Sequence, residues 1–169
     1  MHNRKLCLIS KEVGDLLVKQ IAHELKNYTL YLTFANFFET LGFLSLSEYF
    51  KKRAEEEDVH HKWCVSYLND ADFKFVYPGV EENKLELSTF DYIKPFTETV
   101  NREIETTQMI YNIYETCISQ KDYMTASWLL EKLIKEQIEE ENTSRMALTI
   151  ISEEESDIYL RSAKILELL

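Results

Sequence analysis

The sequence predicts an all-α protein: a four-helix bundle with one long crossover and a short fifth helix at the C-terminus. Turn residues are scarce, with Gly three times and Pro twice in 169 residues, too few for the many turns of a sandwich or barrel. Long segments step their apolar residues by alternating three and four, the period of a helix that buries one face. A single stretch, 71–90, carries Pro78-Gly79 and no helical period, and it is long for a connection inside a compact domain. A hydrophobic content of 45% suffices for one core over residues 1–169. Ten Tyr, nine Phe and two Trp argue against disorder.

The first helix is expected at about 11–40, with Ser10 as N-cap and Gly42 just past its end. The second, about 46–70, opens on Ser45-x-x-Glu48, a capping-box pattern. The third, about 91–118, follows Ser88 and Thr89 and carries Pro95 near its first turn, where a missing N–H matters least. The fourth covers about 122–151 with Asp122 as N-cap, and the fifth about 156–168. Short links join the first helix to the second and the third to the fourth, so each pair forms an antiparallel hairpin. Fully extended, about 20 residues reach roughly 66 Å. A helix of about 27 residues is roughly 40 Å long, so segment 71–90 can run the length of the bundle and set the second and third helices parallel.

A formal net charge of −11 repels nucleic acid and anionic lipid and attracts cations, although solubility alone would also account for it. Cys7, Cys64 and Cys117 lie far apart and form no CxxC pair, which excludes a disulfide framework, a zinc ribbon and a rubredoxin-type site. Cys64 and Cys117 fall on the apolar stripes and are read as buried small hydrophobes. The run Leu6-Cys7-Leu8-Ile9 is too short for the core of a signal peptide, and no stretch reaches membrane-spanning length. A cytoplasmic location is expected. Glu153-Glu154-Glu155 reads as a solvated turn before the fifth helix, and His23 and His61 read as solvated surface.

The stripes carry the chemistry. On the first helix the stepping runs Leu17, Gln20, Glu24, Asn27, Tyr31, Phe34, Phe38, and on the second Leu46, Phe50, Arg53, Glu57, His60, Cys64, Tyr67. The third reads Phe96, Val100, Glu103, Thr107, Ile110, Tyr114, Cys117. The fourth reads Ala126, Leu130, Leu133, Gln137, Glu140, Ser144, Ala147, Ile151. Each stripe is apolar at its ends and broken by an acid near its middle. Measured from one end of the bundle, Glu24, Glu57, Glu103 and Gln137 all fall about 20 to 23 Å along the axis, in one layer. Unpaired buried carboxylates cost several kcal/mol, so such a layer calls for compensating cations. Four carboxylates and one imidazole balance two divalent ions, and oxygen-rich ligands with a single His suit Fe(II) or Mn(II) rather than structural zinc. Glu57-x-x-His60 sets both side chains on one helix face; alone, the pair would read equally well as an internal salt bridge.

From residue 10 onward the chain resembles the bacterial non-haem ferritins, on Glu24 in His23-Glu24-Leu25, the run Ala54-Glu55-Glu56-Glu57-Asp58-Val59-His60, Glu103, and Glu136-Gln137-Ile138-Glu139-Glu140-Glu141. The resemblance implies the ferritin-like bundle, with its one long crossover. It also implies a dinuclear ferroxidase centre in which Glu24 and His60 hold one iron, Glu57 bridges, and Glu103 and Glu140 hold the second. Gln137 would sit beside the dioxygen or second-iron position, Tyr31 close to the centre, and Glu56, Glu136 and Glu139 around an additional iron. It implies further an iron-storing ferroxidase, a closed homo-oligomeric shell of twenty-four subunits, and Fe(II) and dioxygen as substrates. A bacterioferritin would repeat Glu-x-x-His on the fourth helix, where Gln137-x-x-Glu140 stands, and would carry a haem-binding Met where Asp58 stands, so haem is not expected. No CxxC pairs of a rubrerythrin are present, and the expected fifth helix separates the chain from DNA-protecting mini-ferritins. Two rival readings remain at this stage: a diiron peroxidase or oxygen scavenger on the same bundle, and a non-catalytic acidic scaffold or metal buffer. The former lacks an electron-transfer module, and a scaffold gains nothing from buried acids.

Overall fold

The computed structural model describes residues 7–89, 91–153 and 156–169, and the described residues are helical or irregular. Helix α1 (Lys11–Thr40) starts where Ser10 Oγ accepts a hydrogen bond from the Val13 amide. It ends before Gly42, whose φ of +82° is a conformation open to glycine at little cost. The reversal there drops Phe43 into the core, and α2 (Leu44–Asp70) begins at once, with the Ser47 amide bonding to the Phe43 carbonyl. The expected capping box at Ser45-x-x-Glu48 therefore does not form, because Ser45 already lies inside the first turn. Helix α3 (Lys94–Ser119) starts later than expected: Asp91 Oδ1 accepts from the Lys94 amide, and Ser88 and Thr89 stay in the crossover.

The fourth helix is a composite rod. Asp122 caps α4 (Tyr123–Leu129) by accepting from the Thr125 amide and hydroxyl. A π turn at Leu130–Ile134 follows, and the rod continues as α5 (Lys135–Ile151). Asp157 caps the short α6 (Ile158–Leu166). Glu153 is exposed, as the solvated-turn reading expects, whereas Glu154 and Glu155 lie outside the described residues.

Two apolar clusters give the topology. Phe38, Phe50, Phe96 and Ile151 pack together at one end, and Val13, Leu68, Cys117 and Ala126 at the other. Because the end of α1 meets the starts of α2 and α3, α2 and α3 run parallel, and the described residues of the connection, 71–89 and 91–93, lead from Phe73 and Phe75 at one end to Leu87 and Tyr92 at the other. Asn83 Nδ2 fastens that segment to the Lys26 carbonyl at 3.3 Å and to Thr29 Oγ1 at 3.0 Å. At its beginning the Phe73 ring lies against Gly14, where an added Cβ would come within 2.2 Å of the ring. Gly14→Ala should therefore cost about 1–3 kcal/mol of overpacking, more than the helix propensity it gains. A thermal midpoint at or above that of the wild type would show that the ring moves aside freely.

The buried faces of α1 and α2 follow the expected stripes, except that Tyr67 is half-buried and Leu68 takes the inner position. Elsewhere the faces are rotated. On α3, Thr99, Thr106 and Ile113 are buried in place of Val100, Thr107 and Tyr114. On the fourth rod Leu129 is buried and Leu130 is 42% exposed. The cause is the π turn, whose wider period keeps Leu129, Leu133 and Gln137 on one face at steps of four.

Candidate metal centre

Between the two apolar clusters lies a polar layer in which Gln20, Glu24, Asn27, Arg53, Glu57, His60, Glu103, Gln137 and Glu140 are all buried. Helices α1, α2, α3 and α5 each contribute to it, since the interruption of each stripe falls near mid-helix and the helices are packed side by side. Glu24, Glu57 and His60 each offer a ligand atom, and these atoms lie within 4.8 Å of one another. Gln20 Nε2 donates to Glu24 Oε1 at 2.6 Å, but Glu24 Oε2 and both Glu57 oxygens meet no donor except a proton shared between the two carboxyls. Orphaned carboxylate oxygens facing an imidazole nitrogen fit a divalent cation, which would supply the charge and ligand bonds they lack. His60 Nδ1 also lies 3.6 Å from Glu140 Oε1 and 3.8 Å from Glu57 Oε2, so one imidazole joins the two halves of the layer.

Glu103 is satisfied differently. Its Oε1 accepts from Arg53 Nη2 at 2.6 Å and from the Tyr31 hydroxyl at 2.5 Å, and its Oε2 accepts from Gln137 Nε2 at 3.0 Å. Arg53 Nη1 reaches Glu56 Oε2 at 2.8 Å and lies 3.7 Å from Glu140 Oε1. Of the outlying acids, Glu56 and Glu136 are half-buried and Glu139 is exposed. Among the described residues neither these three nor Glu103 and Glu140 belong to a group with metal-ligand spacing; Glu24, Glu57 and His60 alone form one.

The electrostatics follow from burial. Loss of water pushes the Glu24 and Glu57 carboxyls well above the usual carboxylate range, reinforced by Glu57 at Glu24 and by Glu103 and Glu140 at Glu57. Burial, and then Glu103, raises Glu140 to about 8. The Tyr31 phenol is likewise pushed up by burial and by the Glu103 it donates to. This layer therefore holds protons that a divalent cation would displace.

His23 and His61 are not solvated surface; both are buried. His23 Nε2 lies 2.7 Å from Thr106 Oγ1 across the α1–α3 contact, and Asn27 bonds the same hydroxyl at 3.3 Å and accepts from Arg102 at 3.1 Å. Burial, followed by Arg102, lowers His23 to about 4, so it is a neutral lock between helices. His61 is covered by the crossover, with the Tyr77 ring at 6.2 Å. Cys64 and Cys117 are buried in the apolar cluster as expected. Arg53 is the residue sequence reasoning passed over. It stands on the stripe four residues before Glu57, and a buried cation amid acids was the signal.

The family model of the ferritin-like domain matches residues 14–153 of the chain. The bacterial non-heme ferritin of Staphylococcus aureus (strain USA300) is 28% identical over 156 residues, covering 90% of this chain and 92% of its own. That of Staphylococcus epidermidis (strain ATCC 12228 / FDA PCI 1200) is 28% identical with the same coverage. Among solved structures, a humanized archaeal ferritin superposes with a TM-score of 0.87 at 22% identity, covering 95% of this chain and 97% of its own. An open-pore ferritin of the hyperthermophilic archaeon Archaeoglobus fulgidus gives 0.85 at 23% identity, covering 94% and 98%. At these identities the solved structures bear on the fold alone. No helix among the described residues is long and apolar enough to cross a membrane.

Proposed function

The chain belongs to the ferritin family, and from that premise we propose that it stores iron after oxidising Fe(II) with dioxygen at a paired site inside each bundle. The observation that carries this reading is the buried Glu24–Glu57–His60 group, with its orphaned oxygens, beside Glu103 and Glu140. Glu24 and His60 bind one Fe(II), Glu57 bridges, and Glu103 and Glu140 bind the second. Each Fe(II) gives up one electron; dioxygen takes both and leaves with two protons as hydrogen peroxide. Buried carboxyls that ionise as metal enters release protons into the same pocket. Gln137 and Tyr31 orient Glu103 through their hydrogen bonds. Glu56, Glu136 and Glu139 form an acidic margin for a further iron. The reading includes no haem, because Asp58 stands where a Met ligand would and is paired with Lys62.

Ferric iron leaving the site grows as mineral within a shell of copies, twenty-four if it follows the family. Val76, Met124, Ile138 and Leu44, on the crossover and on three helices, are 86%, 73%, 70% and 68% exposed, and neighbouring copies in a shell would cover such side chains. The test is aerobic addition of Fe(II) to purified protein, followed by ferric absorbance, iron co-elution and light-scattering mass. Expected are oxidation well above the buffer blank and a mass many times the 20.1 kDa chain. Blank-level oxidation would leave the acidic scaffold as the better account, and a monomeric mass would remove the shell.

A further inference from the structure

Resting on the paired-site reading, we propose that Arg53 is a built-in counter-ion of the second metal position and sets how much more weakly that position binds than the first. The guanidinium is 1% exposed and bonds Glu103 at 2.6 Å and Glu56 at 2.8 Å, with Glu140 at 3.7 Å. Those carboxylates are the ones assigned to the second iron and its margin. The Glu24–Glu57–His60 group has orphaned oxygens instead, so one half of the layer is open to a cation and the other already holds one.

A guanidinium keeps its charge at any physiological pH, so it cannot make way by losing a proton. A divalent ion between Glu103 and Glu140 must therefore displace it. The way out leads to the rim: Glu56 is already bonded to Nη1 and its side chain is 40% exposed. Arg53 Nε has no partner, so turning the side chain breaks no bond there. Position one is thus expected to bind first and tightly, and position two only with Arg53 moved toward Glu56. Arg53 acts through Glu103 and Glu140, as a positioning residue.

Calorimetric titration of the assembled full chain under argon tests this, with Fe(II) and separately with redox-inert Zn(II). The wild type should show one tight equivalent per subunit and a second at least tenfold weaker. Arg53→Gln, which keeps a hydrogen-bond donor to Glu103 but no charge, should bring the second within tenfold of the first. Arg53→Lys, shorter but still cationic, should retain the split. Two indistinguishable tight equivalents in the wild type, or an unchanged split in Arg53→Gln, would overturn the role of Arg53 and leave the paired site standing. Should Arg53→Gln fail to assemble, Arg53→Met, of similar length and also uncharged, is read by the same criterion. Tight binding of neither metal to any of the three would remove the paired-site reading itself.

Discussion

Glu57→Ala and His60→Ala are expected to fold and assemble, and to lose the fast phase of Fe(II) oxidation down to the buffer rate. Glu57 is the carboxylate with both oxygens orphaned and with His60, Glu24 and Glu140 around it. In the proposed site its deletion would separate the two metal positions, and a lone Fe(II) cannot deliver two electrons to one dioxygen. His60 is the nitrogen-bearing member of the group that could hold a metal, so in the proposed site its loss would weaken the first position and the link to Glu140. Neither change should unfold the bundle. The apolar clusters on either side of the layer remain, and removing an unpartnered buried acid relieves a desolvation cost. Stopped-flow absorbance at two Fe(II) per subunit in air, with assembly checked by size exclusion, makes the comparison. Variants as fast as the wild type would discard the ferroxidase centre assigned here.

Without added metal, thermal stability should fall as pH rises from about 6.5 to 8, above the range in which the lowered His23 acts in the opposite sense, and divalent metal should reverse that trend. Glu140 sits at about 8, and Glu24 and Glu57 are also raised by burial, whereas carboxyls in the unfolded chain titrate near about 4.3. In that window the folded protein binds more protons than the unfolded chain, so raising the pH costs stability, on the order of a few kcal/mol. At about 2–4 °C per kcal/mol for a chain of this size, the midpoint should drop by roughly ten degrees. Zn(II) replaces the protons, so its stabilisation should grow with pH over the same range. Scanning calorimetry at pH 6.5, 7 and 8, with and without Zn(II), reads both slopes. A midpoint that climbs with pH in the absence of metal would show that these acids are already ionised in the folded protein.

The helices and the acid layer were legible because both are local patterns. Ser10 and Asp122 cap where their side chains reach the next turn, and Gly42 reverses the chain because its φ favours glycine. The alternation of three and four residues brought Glu24, Glu57, His60, Glu103, Gln137 and Glu140 to buried positions at one level. Periodicity reports which face is inside and at what height. It does not report which partner a side chain meets there.

That second question was settled by packing. The π turn at Leu130–Ile134 turned Leu129 inward and Leu130 outward, since a local widening of the helix leaves no trace in residue type. His23 and His61 lie on faces that a single amphipathic helix would leave wet; α3 covers one and the crossover covers the other. Arg53 shared a stripe with apolar and acidic residues alike, and only the approach of α3 and α5 decided that its guanidinium would meet Glu103 and Glu140. The sequence by itself thus determined the four rods, the long crossover and the height of the acid layer, because each depends on residues near in the chain. Which acids stay unpartnered and which are held by Arg53 depends on residues brought together from different helices, and that only the tertiary structure decided.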